Sequence, residues 1–168
     1  MLTSRDRATP KEGLLVTEPF ESVTSWSAGP GQVLFVLLTP DGELLRRTAD
    51  GQAVPDEWGG PYQSGLWTAV ATVVDPYRRL ANGVGLDAGM RAKVVDVSEA
   101  ASASVVDRYP PNPTAWAVLT TLGAPAQRWC GTVAVVGTEI DHGVTLSLTA
   151  DQLGMIADAR RQALRPSR

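Results

Sequence analysis

The longest uninterrupted hydrophobic segment of the chain, residues 33–38, predicts a strand that is buried on both faces. Its residues, Val33-Leu34-Phe35-Val36-Leu37-Leu38, are too few for an autonomous helix and are followed by turn residues. In Thr39-Pro40-Asp41-Gly42 the proline presets φ and the glycine can supply a positive φ, a combination typical of turns. Residues 43–47 are therefore expected to return as the second strand of a hairpin.

A helix is predicted to begin at Asn112 and Pro113, because asparagine suits the N-cap and proline suits the first helical turn. Apolar residues then recur at helical spacing, at Ala115, Val118, Leu119 and Leu122. Gly123 and Pro125 are expected to end this helix, since glycine favours the C-terminal cap and proline cannot continue the helical hydrogen bonds.

A second helix is predicted from residue 150 to about residue 164, with Thr149 as its N-cap. Gln152 stands three residues later and completes a capping box, and Leu148 with Leu153 can form a hydrophobic staple. The expected buried stripe consists of Leu153, Ile156, Ala157 and Leu164. The arginines near its end suit the negative pole of the helix dipole.

Three further segments are predicted as strands, and two are left open. Residues 132–136 lie between two glycines, and residues 92–97 are rich in β-formers. In residues 144–148, Val144, Leu146 and Leu148 alternate with Thr145 and Ser147, which predicts a strand with one apolar face. Residues 82–85 are predicted as a loop. Residues 66–74 favour a helix over a strand, and residues 98–106 fit either.

This order of elements predicts an α+β fold with a mostly antiparallel sheet and two or three helices. Residues 32–165 are expected to form a single compact domain, preceded by an extended arm over residues 1–31 that contains several prolines. Composition agrees with a globular chain, since 43% of the 168 residues are hydrophobic and 20% are charged. The net charge of −3 provides no global field that attracts nucleic acid or an anionic membrane.

Cysteine content and hydropathy predict a soluble, cytoplasmic protein without a membrane partner. Cys130 is the only cysteine, so the fold does not depend on an intramolecular disulfide or on an oxidising compartment. The first residues are charged rather than apolar, and the apolar run of residues 33–38 is too short to span a bilayer.

No motif in the sequence predicts a catalytic residue, a metal site or a cofactor. The only histidine, His142, stands in a predicted turn beside Glu139 and Asp141, but adjacent loop residues rarely converge on one ion. Cys130 follows an arginine that could lower its pKa, although a structural thiol is the simpler interpretation. The glycines of residues 83–89 do not match the spacing of a phosphate-binding loop. An active site assembled from dispersed residues stays open as an alternative.

The most suggestive segment for binding is the loop of residues 58–67, in which Trp58, Tyr62 and Trp67 stand among glycines and a proline. Exposed aromatic side chains bury much area at small entropic cost, so these three are the predicted binding residues. Burial of the same rings in the core is the alternative. The C-terminal arginines could contact phosphates, but a solvated helix end is the simpler interpretation, so nucleic-acid binding is not favoured. They are Arg160, Arg161, Arg165 and Arg168.

Several short motifs resemble, in order, a family of uncharacterised small domains from actinobacterial genomes, plasmids and phages. They are Leu37-Leu38-Thr39-Pro40-Asp41-Gly42, Asn112-Pro113-Thr114-Ala115, residues 131–137, and Gly143-Val144-Thr145 leading to residues 148–153. The resemblance covers the C-terminal two-thirds of the chain and implies an accessory or mobile-element context, with no catalytic residues. The favoured hypothesis is therefore a non-enzymatic accessory protein that contacts another protein or self-associates. The alternatives are a phage particle structural protein that assembles through its arm, and a small enzyme.

Overall fold

The fold is built on short antiparallel strands and two helices, seen in a computed structural model that describes residues 20–29, 32–50, 52–53, 63–64, 83–95, 109–140 and 144–166. The helices are α1 (Pro113–Thr121) and α2 (Ala150–Ala163). In chain order the strands are β1 (Gln32–Leu38), β2 (Leu44–Asp50), β3 (Gln52–Ala53), β4 (Gln63–Ser64), β5 (Val84–Gly85), β6 (Arg91–Lys93), β7 (Val133–Val136), β8 (Glu139–Ile140) and β9 (Val144–Thr145).

The main sheet has the strand order β2-β1-β7-β6-β5, with antiparallel pairing throughout. The predicted hairpin is confirmed, because β1 and β2 pair from Leu38 opposite Leu44 to Gln32 opposite Asp50. Its turn closes as predicted, with Gly42 at a φ of 88° and its N–H donating to the carbonyl of Thr39. A second sheet has the order β3-β4-β9-β8. The α+β fold class is thus confirmed.

Both faces of the neighbouring strands β1 and β7 are buried, as predicted for residues 33–38. Leu34, Val36 and Leu38 face a core that also contains the inner sides of α1 and α2, while Val33, Phe35 and Leu37 face a second apolar cluster. Every residue of β7 is buried as well. Alternation of side chains across each strand therefore supplies apolar residues to both layers, and no face of these strands is left for polar residues.

Both helices begin where the sequence predicted, because their N-caps satisfy backbone N–H groups that lack helical partners. Asn112 accepts a hydrogen bond from the N–H of Ala115, and Thr149 forms the full capping box with Gln152. The predicted buried stripe of α2 is wrong at Leu164, which is 51% exposed. The helix ends at Ala163, so Leu164 lies beyond the turns that pack on the sheet, and Ala159 is buried in its stead.

The predicted strand of residues 144–148 is shorter in the structure, and the burial of its side chains differs from the prediction at residues 145 and 146. Only Val144 and Thr145 belong to β9. Thr145 is buried and Leu146 is half-buried, the reverse of the prediction at these two positions, whereas Leu148 is buried as predicted. After Thr145 the chain crosses the end of β7, where the N–H of Leu146 donates to the carbonyl of Thr138. A Cβ at Gly137 would overlap the carbonyl oxygen of Leu146 and lie 2.8 Å from that of Ser147, so this crossing requires glycine.

Two other parts of the chain differ from simple sequence expectations. Val84 and Gly85, predicted as part of a loop, pair with Ala92 and Arg91 as the short edge strand β5. Residues 20–25, which belong to the predicted arm of residues 1–31, form a 3-10 helix. It packs against α2 and places Val23 in the main core. The domain boundary at residue 32 stays a prediction, and the open segments 66–74 and 98–106 lie outside the described residues.

Candidate functional site

The binding residues predicted from the sequence, Trp58, Tyr62 and Trp67, lie outside the described residues, as do His142 and Arg168. Their roles stay predictions. Of the other C-terminal arginines, Arg160 donates through Nε to the carbonyl oxygen of Gly42 over 2.8 Å, and Arg161 pairs with Asp158. This hydrogen bond of Arg160 connects the end of α2 to the turn between β1 and β2.

Cys130 is a half-buried thiol at the entrance to β7, as the structural interpretation of this residue predicted. Burial raises the pKa of the Cys130 thiol above its ordinary value. The neighbouring Arg128 stacks on the ring of Trp116 instead, with its guanidinium carbon 5.6 Å from the ring centroid. A thiol that stays protonated is a poor nucleophile, so the described surroundings of Cys130 do not favour covalent catalysis.

The outer side of α1 is the most distinctive described surface, because it carries no charge. The stretch from Tyr109 to Gln127 contains no Asp, Glu, Lys, Arg or His. A helix on the surface of a globular protein normally carries charged residues on its outer face. The helix α2 does so, with exposed Asp151, Asp158 and Arg161. We use the term α1 face for the exposed residues and the half-buried tryptophan on this side of the helix: Pro113, Trp116, Ala117, Thr120 and Thr121.

Trp116 is the largest side chain of the α1 face, and it is held in position from two sides. Its inner part packs against the main core, and its indole Nε1 donates to the carbonyl of Trp129. The exposed Arg128 covers the ring at a distance typical of a cation–π contact. A tryptophan fixed in this way has already lost most of its rotamer freedom, so binding through it costs little further entropy.

The position of α1 depends on Asn112, which is completely buried. Its side-chain Nδ2 donates to the carbonyl of Leu38 at the end of β1 over 3.0 Å and to the carbonyl of Gly131 before β7 over 2.9 Å. Its Oδ1 caps the helix through the N–H of Ala115. One side chain therefore joins α1 to two strands and fixes the orientation of the α1 face.

A second polar arrangement connects the two sheets. The carboxylate of Glu139 on β8 accepts a hydrogen bond from Lys93 and forms an ion pair with Arg91, both on β6. Arg91 Nε lies 3.0 Å from Oε2 of Glu139, although its N–H is not aligned for a hydrogen bond, and Nη2 of Arg91 donates to the carbonyl of Gly83. The Lys93 side chain is only 8% exposed. With its carboxylate engaged by two cations, Glu139 serves to join the sheets.

Within the described part of the chain, no group of three or more His, Cys, Asp and Glu side chains could hold a metal ion. Among the same residues, no helix combines the length and apolar character that crossing a bilayer requires. Comparisons with protein-family models, with curated proteins and with solved structures gave no match to this chain. The resemblance to small actinobacterial domains therefore stays an expectation.

Proposed function

We propose that this chain is a non-enzymatic accessory protein that acts by contacting another protein or a second copy of itself, and that the α1 face is a contact surface. The observation that supports the proposal is the charge-free outer side of α1, which contains Trp116 with Arg128 over its ring. Protein interfaces are depleted of charge at their centre, and tryptophan and arginine are the residue types that most often dominate binding energy.

The proposal includes a cytoplasmic location and an actinobacterial plasmid, phage or host context. The single cysteine, half-buried and unpaired, is the support for the location, since the fold needs no disulfide. The resemblance described above is the support for the context. The loop with Trp58, Tyr62 and Trp67 is a second proposed contact, argued from its sequence alone.

The α1 face can be tested with two matched substitutions at exposed helical positions. Thr120→Arg introduces a charge and a long side chain into the α1 face, whereas Gln162→Arg makes the same kind of change on the outer side of α2. Proteins captured from an actinobacterial lysate by the immobilised wild type would be purified and titrated against all three chains by calorimetry. We expect Thr120→Arg to weaken binding at least about tenfold and Gln162→Arg to leave it unchanged. A partner that binds Thr120→Arg as tightly as the wild type would contradict a role for the α1 face.

The aromatic loop is tested separately with Trp58→Ala, because the effect of this substitution differs between an interface role and a core role of Trp58. As an interface anchor, Trp58 should contribute roughly 2 kcal/mol or more to association while the melting temperature of the monomer changes little. If the ring instead fills the core, the substitution should cost about 3 kcal/mol or more of folding stability. Calorimetric binding and thermal unfolding of this one variant distinguish the two results.

A further inference from the structure

We infer that the occupant of the α1 face is a second copy of this chain, bound through an antiparallel contact of the two α1 helices about a two-fold axis. This inference rests on the proposed function, since it names the partner for the same surface. A two-fold contact places a surface against itself, so the surface must be complementary to its own copy. A patch that contained charges of one sign near the axis would repel its copy. The residues of the α1 face are all uncharged, and the cation that contacts them is Arg128, over the ring of Trp116.

Two other described surfaces carry charged side chains. Arg46 and Arg47 on β2 are both exposed and, as consecutive strand residues, point to opposite faces, so a two-fold axis on either of these faces would bring two arginines together. The outer side of α2 carries Asp151, Asp158 and Arg161. Of these three surfaces, the α1 face is the one whose residues carry no charge.

The size and order of the side chains on α1 also suit a close two-fold contact. Ala117 stands at the middle of the nine-residue helix and is exposed, so an axis through it brings small side chains together and lets the helices approach closely. Trp116 is next to Ala117, and in an antiparallel pair it would face the C-terminal half of the other copy's helix. Thr120 and Thr121 provide hydroxyl groups and small side chains against which the ring can pack.

Charge complementarity supports the antiparallel direction. Arg128 lies over Trp116, and the described residues place no carboxylate within ion-pair distance of it. The last turn of α1 contains no basic residue to balance the negative pole of the helix dipole. In an antiparallel pair, Arg128 of each copy would lie near the C-terminal end of the other copy's α1, where a cation is favourable. Each chain thus provides, through Arg128, the positive charge that is absent from the last turn of the other chain's α1.

The contact is small, and the expected dimer is therefore weak. Nine helical residues extend for about 13 Å, so even with neighbouring exposed prolines the buried area falls at the low end of specific interfaces. Contacts of that size are typical of transient association. We expect a dissociation constant on the order of 10 to 100 μM, with dimer formation that depends on concentration.

The test is analytical ultracentrifugation of the full chain, from about 1 μM to about 1 mM protein, to cover that range. The wild type and the control Gln162→Arg should shift from the monomer mass of 17.8 kDa towards a dimer as concentration rises. Ala117→Arg, which would place two arginines on the axis, should stay monomeric at concentrations where the wild type is half dimeric. Arg128→Glu should weaken the dimer at least about tenfold, because it reverses the charge at the partner's helix end. Circular dichroism and thermal unfolding of each variant confirm that the fold is intact.

A cross-linking experiment tests the geometry directly. In a Cys130→Ser background, Ala117→Cys should form a disulfide-linked dimer under mild oxidation, since the two-fold axis brings both Cα atoms within disulfide range. Gln162→Cys in the same background should not. A wild-type chain that stays monomeric over the whole range, a larger assembly, or a dimer unaffected by Ala117→Arg would each overturn the inference. If self-association is absent but Thr120→Arg still abolishes binding of a different protein, only the identity of the partner is wrong. If no association depends on the α1 face, the proposed function fails as well.

Discussion

Replacement of Asn112 by alanine is expected to be among the most destabilising changes in the described part of the chain. The side chain is fully buried and makes three hydrogen bonds, to the N–H of Ala115 and to the carbonyls of Leu38 and Gly131. Loss of the N-cap costs about 1 kcal/mol. Loss of a donor to each of two buried carbonyls costs about 1 to 2 kcal/mol apiece. The sum is about 3 to 5 kcal/mol.

The helix cap at Thr149 provides an internal comparison for this value. Thr149 caps α2 with the same kind of bond but is exposed and has no second role in joining strands. We therefore expect Thr149→Ala to cost about 1 kcal/mol, three to five times less than Asn112→Ala. Urea unfolding at 25 °C and neutral pH measures both, with equal m-values as the check that the unfolding transition is comparable. Asn112→Ala should also lower the melting temperature by roughly 8 to 16 °C.

A third variant, Asn112→Asp, separates the cap from the two carbonyl contacts. It keeps an oxygen for the N–H of Ala115 but replaces the donating amide with a carboxylate oxygen that faces the carbonyls of Leu38 and Gly131. At neutral pH this change should cost at least as much as Asn112→Ala, because a buried carboxylate next to two acceptors is unfavourable. If Asn112→Ala costs no more than Thr149→Ala, or if Asn112→Asp matches the wild type, the argument that Asn112 joins the strands is wrong.

Three further predictions concern other contacts. Gly137→Ala should cost about 2 kcal/mol or more in urea unfolding, because its Cβ would meet the carbonyl oxygen of Ser147 at 2.8 Å; Gly85→Ala, where a Cβ meets nothing within 4 Å, is the control. Glu139→Gln should lower the free energy of unfolding, measured in urea, by about 2 to 4 kcal/mol, because a neutral amide replaces the carboxylate that pairs with the buried Lys93. The double variant with Lys93→Met should recover part of that loss. At pH 8, Cys130 should react with iodoacetamide more slowly in the folded protein than in the unfolded chain, because burial raises the pKa of its thiol. The free energy of unfolding should fall slightly as the pH rises above about 8.5, because the thiol of the unfolded chain ionises first.

The elements that could be predicted from the sequence are those whose signals are local. The β1–β2 hairpin follows from an apolar run and four turn residues that adjoin it, and both helix starts follow from a cap three residues before its hydrogen-bond partner. These interactions join residues that are close in the chain. A single sequence contains all the information that they need.

The elements that could not be predicted depend on partners distant in sequence. The short strand β5 exists because β6 pairs with it, and Thr145 turns inward because the chain next crosses the end of β7. Lys93 is a cation within a predicted strand, and a cation that becomes buried requires polar or negatively charged partners. Its carboxylate, on Glu139, stands 46 residues later, and no local pattern identifies it.

The α1 face differs from these cases, because its signal is local and lies within the sequence itself. The absence of charged residues from Tyr109 to Gln127 is evident from the amino-acid sequence alone. Helical periodicity identifies the buried side of this helix, with Ala115, Val118 and Leu119, but it says nothing about what the outer side contacts. Lack of charge on the outer residues of a predicted helix is a second signal, and the proposal of a binding surface is based on it.

The central place of β7 in the main sheet has a consequence for the order of events during protein synthesis. β7 lies between β1 and β6, so the N-terminal hairpin and the β5–β6 pair have no backbone contact within the sheet until residues 133–136 are available. A ribosome-bound chain that lacks those residues must hold two separate strand pairs, and β1 of the hairpin then has apolar side chains on both faces without its neighbour β7. Nascent chains that end before β7 should therefore be protease-sensitive and bind chaperones, and resistance should appear abruptly once β7 leaves the exit tunnel.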